Sequence, residues 1–281
     1  MKKIFKKKTA VFGLLIILIV LAMAALAPLV ALHDPEKVDL GLRLLPPVGM
    51  DGGQIAYPLG TDSLGRDVFS RIVYGSQKSL LVSFSATLLS TVIGVTLGMF
   101  AGYFGGYIDA TIGKLADIQL AFPMILLAIA VIAVLGTSTV NLIIVFGITN
   151  WVVYAKVSRG AVLSFKEKEF VEAARAIGAG NLRIMALHIF PNIFPSIVVI
   201  TTLSLASTII SESSLSFLGF GVPPPHPTWG GMLSEGRQYI YDGWWVATFP
   251  GLAISLTVLG VNLFGDGLRD AYDPKLSVER I

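Results

Sequence analysis

The three histidines, His33, His188 and His226, could ligate a metal or carry a proton, but they lie on three separate segments. Their spacing matches no zinc site. A nucleotide would need a Gly-x-x-x-x-Gly-Lys-Ser/Thr loop. The nearest stretch is Gly113-Lys114-Leu115, which has no glycine five residues before Gly113 and no hydroxyl after Lys114. There is no Gly-x-Ser-x-Gly elbow and no His-Glu-x-x-His pair. With 0 cysteines, thiol catalysis, disulfides and thiolate metal sites are all excluded. These residues therefore point to a non-enzyme with no cofactor of its own.

Two features remain. One is a set of polar residues inside apolar runs. Glu212, in Ser211-Glu212-Ser213-Ser214, is costly in a bilayer, and such acids often serve function. It reads either as a buried acid tied to Ser211, Ser213, Ser214 or a partner helix, or as a pathway or gate residue. Asn150 is the second pathway or gate candidate, although Asn150 and Asn262 also suit hydrogen bonding between helices. The other feature is the polar stretch 165–191, FKEKEFVEAARAIGAGNLRIMALHIFP. Helix formers run to Ile177, and Gly178 and Gly180 then stop the run. A second short helix follows from Leu182 to Ile189, closed by Pro191.

The elements that carry these residues are apolar. The chain has 281 residues, 54% hydrophobic and 14% charged, with mean hydropathy +0.76. Soluble domains carry about 25% charged residues, so this composition indicates an all-α polytopic membrane protein embedded in a lipid bilayer. No basic cluster interleaved with aromatics is present, so no nucleic-acid partner is expected.

Six spans are expected. Lys2, Lys3, Lys6, Lys7 and Lys8 mark a cytoplasmic start at 1–8, followed by a retained anchor helix at 9–32. Ala22 to Ala27 resembles a cleavage site, but the apolar run outlasts a signal-peptide core of about 7–15 residues. Residues 33–78 form an external loop, with a short amphipathic helix near Asp67 to Gly75 on the membrane surface. The core, 79–268, holds helices at about 79–103, 116–135, 142–157, 193–218 and 244–264. Residues 104–114 read as a short loop, and Asp117 as lying at an inner helix end. Gly94, Gly98 and Gly102 let two helix backbones approach closely. A second outer loop spans 219–243, made rigid by its prolines. Trp244 and Trp245 suit an interfacial aromatic belt, and 265–281 is a cytoplasmic tail. Of the 21 Lys and Arg residues, fifteen fall on inside segments and six outside. That bias puts both termini and 165–191 in the cytoplasm.

Glu172-Ala173-Ala174, Gly178 and Phe190-Pro191 resemble the EAA signature of ABC importer permeases. His188 and Phe190 replace its isoleucine and leucine. Leu59-Gly60-Thr61-Asp62, Gly65-Arg66-Asp67, Ser70-Arg71 and Tyr74-Gly75 resemble the outer loop of the dipeptide, oligopeptide and nickel branch. So do Glu212-x-x-Leu215-Ser216-Phe217-Leu218-Gly219, Trp229-Gly230 and Gly265-Asp266-x-Leu268-Arg269-Asp270-x-x-Asp273-Pro274. The likeness runs from about Leu59 to Pro274 and is nearest the second, "C"-type, peptide permease.

The resemblance implies the type I importer fold with a cytoplasmic coupling helix, in a prokaryotic inner or plasma membrane. It implies import of di- or oligopeptides by alternating access, with nickel or a metal chelate as the alternative cargo. It also implies a second permease, two ATPases that bind ATP and Mg, and an external binding protein. Glu172, Ala173, Ala174, Arg175 and Gly178 would then contact an ATPase. A self-sufficient channel or secondary transporter would instead call for inverted repeats and midplane charges, and neither is evident.

Overall fold

The computed structural model describes residues 7–272. The described residues are helical with no strand, and Thr61 and Asp67 form one isolated bridge. Among the described residues, five helical stretches are long and apolar enough to cross a membrane. A bent pair makes a sixth if it counts as one span. Residues 1–6 of the lysine-rich start lie outside the described residues. So does 273–281 of the tail, with the Asp273-Pro274 end of the motif.

Helix α1 (Lys8–Ala25) and the short α2 (Ala27–Val30) are the anchor. Helix α1 packs on the last helix, α12 (Trp245–Tyr272). A Cβ on Gly13 would lie 2.6 Å from the Gly260 carbonyl oxygen, so the backbones nearly touch. Lys7 pairs with Asp270, which makes the crossing antiparallel and puts both described ends at one end of the bundle. Helix α12 continues through Tyr272, with Gly265, Gly267 and Leu268 buried. The expected tail at 265 therefore begins as helix.

Helix α3 (Val68–Phe104) has 37 residues, about 55 Å at 1.5 Å per residue. That exceeds the roughly 30 Å hydrocarbon core of a bilayer, so α3 projects well beyond it. The expected surface helix at Asp67–Gly75 is instead the first two turns of α3, with Val68, Ser70, Arg71, Ile72 and Val73 buried. Asp67 caps it by accepting from the backbone N–H groups of Phe69 and Ser70.

The expected third span is broken. Helix α4 (Gly106–Leu120) and helix α5 (Met124–Leu135) meet at 88°. Pro123 lies at the break, where it restricts the preceding residue and cannot continue a helix. The predicted loop at 104–114 is therefore mostly helix α4. Asp117 lies in its last turn, and its carbonyl accepts from Ala121.

Helix α6 (Thr139–Thr149) and helix α7 (Trp151–Phe165) join at Asn150. The glycine face of α3 meets α7 as the spacing predicts. A Cβ on Gly94 would lie 2.3 Å from the Trp151 carbonyl oxygen. The same holds for Gly98 and Ala155 at 2.3 Å, and for Gly102 and Arg159 at 2.9 Å. Both sets step by four residues, so three successive turns of each helix are in register.

Helix α8 (Glu169–Ala176) is followed by one turn, α9 (Asn181–Arg183). A π-turn over Ile184–Ile189 then runs directly into helix α10 (Phe190–Phe217). Pro191 therefore closes nothing. It occupies the first turn of α10, where an N–H is dispensable, and the widened π-turn accommodates it. The Asn192 side-chain amide donates to the His188 carbonyl at 2.7 Å.

The connection at 219–243 contains helix α11 (Trp229–Gly236), with Trp229 fully buried. Its indole donates to the Ile72 carbonyl of α3 at 3.0 Å. Trp244 is half-exposed, but Trp245 is buried and donates to the Thr61 carbonyl at 3.0 Å. Only Trp244 suits a lipid-interface belt. Residues 31–67 and α11 thus form an ordered cap over the start of α3.

Candidate coupling and gate sites

Helix α8 has a polar start and a small apolar face. Val171 and Ala174 are buried against Val162, Ile184, Met185 and Ile189. Glu172, Ala173 and Arg175 face outward. Ile177 is 86% exposed, a large apolar side chain with no cover. Glu169 and Glu172 lie in the first turn, where the helix dipole favours acids.

A Schellman motif ends the helix. Gly178 donates its N–H to the Arg175 carbonyl, and Ala179 to the Ala174 carbonyl, both at 3.0 Å. Gly178 has φ +81°, a left-handed conformation that strains any side chain. A Cβ there would meet nothing within 4 Å, so backbone conformation rather than space demands the glycine. The Arg175 guanidinium lies over the Tyr103 ring at 5.9 Å, and the Tyr103 hydroxyl donates to the Asn181 side-chain oxygen at 3.0 Å. These contacts fasten α8 to the far end of α3, some 55 Å along the helix from the cap. The structure thus brings Glu172, Ala173, Ala174, Arg175 and Gly178 together on one anchored helix, with Ala174 packed beneath it.

Glu212 lies elsewhere, in α10, with 0% exposure. It accepts from the Ser216 hydroxyl at 2.8 Å and more distantly from Ser213 at 3.5 Å. The Ser79 hydroxyl of α3 also faces this carboxylate. Of the three serines expected to hold it, only Ser213 does so. Ser211 and Ser214 bond to carbonyls one turn back on their own helix. Replacing Glu212 with Gln should preserve the Ser216 contact and leave the melting temperature of the detergent-solubilised protein nearly unchanged. Glu212→Ala orphans the hydroxyls and should lower thermal stability of the purified complex by about 1–3 kcal/mol. Asn150 sits half-buried at the α6–α7 junction, and among the described residues neither it nor Asn262 makes a side-chain hydrogen bond.

A cluster in the cap was not foreseen. Asp62 accepts from Arg66 Nε at 2.7 Å and also pairs with Arg71. Glu235 of α11 accepts from Arg66 Nη2 at 2.7 Å and from Arg71 Nη1 at 2.8 Å. Asp62 also accepts the backbone N–H of Leu64 and of Arg66. Two arginines and two acids, three of these four side chains buried, clasp residues 62–71 to α11. Asp62, Arg66 and Arg71 enter the sequence reading only as parts of a motif and Glu235 not at all, because Glu235 lies 164 residues from Arg71. Removing one partner strands buried charge. Asp62→Ala should therefore cost about 3–5 kcal/mol of stability, read as a lowered melting temperature of the detergent-solubilised protein.

The family described as the binding-protein-dependent transport system inner membrane component matches residues 94–278. The N-terminal TM domain of oligopeptide transport permease C matches residues 1–47. The di/tripeptide transport system permease protein DppC of Pseudomonas aeruginosa is 44% identical over 269 residues, 96% of this chain and 89% of that protein. The dipeptide transport system permease protein DppC of Escherichia coli K12 is 46% identical over 271 residues, 96% and 90% respectively. Among solved structures, an inward-facing MetNI methionine ABC transporter matches with TM-score 0.58 at 20% identity. It covers 72% of this chain and 97% of that one, a likeness of fold.

Proposed function

Because this chain belongs to the binding-protein-dependent transport system inner membrane components, we propose that it carries di- or oligopeptides inward as half of a translocation pore. It is a membrane-spanning permease subunit of an ABC importer and not the catalytic subunit. The other half of the pore is a second, homologous permease. Two ATPases bind ATP and Mg, and an external binding protein delivers the peptide. The cap faces that binding protein, and α8 faces an ATPase in the cytoplasm.

The observation that carries this reading is the form of α8. It is short, glycine-terminated, fastened to α3 through Arg175 and Tyr103, and topped by the uncovered Ile177. It follows α7 and leads, through α9 and the π-turn, into α10, so a push on it reaches two long helices at once. Breaks at Asn150 and at the Pro123 bend, with Pro195 and Pro250 inside α10 and α12, supply places where spans can flex. ATP-driven closure of the ATPases would tilt the spans between inward- and outward-facing states. Asn150, at one such break, is the gate candidate. Glu212, sealed from solvent, serves to hold α10 in place.

Reconstitution with the partner subunits tests this. Vesicles containing all of them should accumulate labelled dipeptide with ATP, and should fail without the binding protein. Accumulation of a nickel chelate alone would replace the cargo assignment. Transport by the isolated chain would overturn the permease reading.

A further inference from the structure

A cavity of about 580 Å³ opens between α2, the start of α3 and the loop before α11. Pro28, Ala31 and Leu32 form one wall, and Tyr74, Gln77 and Lys78 another. Asp34, Glu36 and His226 close the rim. Lys78 takes part in none of the ion pairs found among the described residues. Glu36 is held by His226 at 3.0 Å, and Asp34 accepts the Glu36 backbone N–H. One lysine, Lys78, faces two carboxyl side chains, Asp34 and Glu36. The cavity thus presents one free cation and a negative rim. That pattern suits a ligand carrying both an anionic group and an N–H-bearing cation.

The surface below the cavity is apolar. Leu81, Phe84 and Leu88 follow Gln77 at helical steps along α3, and they are 50%, 61% and 54% exposed. Leu29 of α2, beside the cavity, is 82% exposed. The Gln77 amide donates to the Ala24 carbonyl at 2.7 Å and ties α1 to this face. Ala31 and Leu32 end one apolar run, and Lys78 precedes another, so the cavity lies at the level where spans leave the bilayer. A charged chamber above a bare apolar face fits a two-tailed amphiphile.

We infer that this cavity binds the headgroup of an aminophospholipid, its phosphate on Lys78 and its ammonium between Asp34 and Glu36, with acyl chains against Leu81 and Phe84. Phosphatidylcholine has no N–H to give the acids. Phosphatidylglycerol has no cation and meets the negative rim.

The test uses the assembled complex in bilayer discs of equal phosphatidylethanolamine, phosphatidylcholine and phosphatidylglycerol, stripped with detergent. Retained lipid is then counted by mass spectrometry. Phosphatidylethanolamine should be enriched about tenfold over either competitor, the scale of one charge-assisted contact. Lys78→Gln should lower retention of all three lipids severalfold with subunit composition unchanged, because each carries a phosphate. Asp34→Asn with Glu36→Gln should shift retention toward phosphatidylglycerol. Equal retention of the three lipids in the unaltered complex would overturn the inference. So would lipid retention unchanged by Lys78→Gln, phosphatidylethanolamine enrichment that survives Asp34→Asn with Glu36→Gln, or displacement of the lipid by a free dipeptide.

Discussion

Replacing Gly178 with proline should reduce ATP-driven peptide uptake to background while ATP hydrolysis by the complex continues. Gly178 holds φ +81°, and proline is fixed near −65°. The substitution also removes the N–H that bonds to the Arg175 carbonyl. The Schellman motif is lost, and α8 no longer points its outer face in a defined direction. The site is exposed and open, so the damage stays local and the membrane bundle should still insert. Glu172→Lys separates docking from folding. A base in the first turn of a helix costs about 0.3–1 kcal/mol against the dipole. That is too little to unfold a helix whose inner face is buried on Val171 and Ala174. A large drop in uptake from Glu172→Lys therefore reports contact with the ATPase. The measurement is peptide moved per ATP hydrolysed in reconstituted vesicles. If both variants transport at the unaltered rate, α8 carries no force.

Replacing Gly98 with leucine should prevent accumulation of folded protein altogether. Even a first carbon there would lie 2.3 Å from the Ala155 carbonyl oxygen and 2.8 Å from its Cα. The obstacle is backbone, which cannot rotate away as a side chain can. The cost should exceed the roughly 1–3 kcal/mol typical of an overpacked core. The strain is felt along the whole contact, because Gly94 and Gly102 engage the same helix one turn to either side. It also separates α3 from α7, which leads directly into α8. Gly98→Ala gives a graded version, with reduced yield expected. Gly113→Leu is the control, since a Cβ there meets nothing within 4 Å. Membrane content of each variant, measured by quantitative blotting, checks the order.

Much of the segment 165–191 was legible. Gly178 was read as a helix stop on composition, and its left-handed backbone is the reason it works. The glycine face of α3 was also read correctly, because four-residue spacing of small residues has one physical use in lipid. Pro191 was misread as a stop, because a proline in a first turn looks the same in sequence as one that ends a helix. Residues 67–75 were misread because Arg71 looks like a surface charge until Asp62 and Glu235 are seen around it. The bend at Pro123 was invisible to a hydropathy window, which averages over the break. For Glu212, neighbours in sequence were favoured over Ser216, one helical turn away, which is the partner that reaches it.

The chain has 0 cysteines, so Ile177→Cys would create a single thiol at the tip of α8. The decisive measurement is cross-linking of that thiol to the ATPase subunits in the assembled complex. A membrane-impermeant maleimide applied from each side serves as the companion probe. The expected result is a cross-link to an ATPase whose yield changes with bound ATP, and labelling only from the cytoplasmic side. Labelling only from outside, with no cross-link in any nucleotide state, would contradict it.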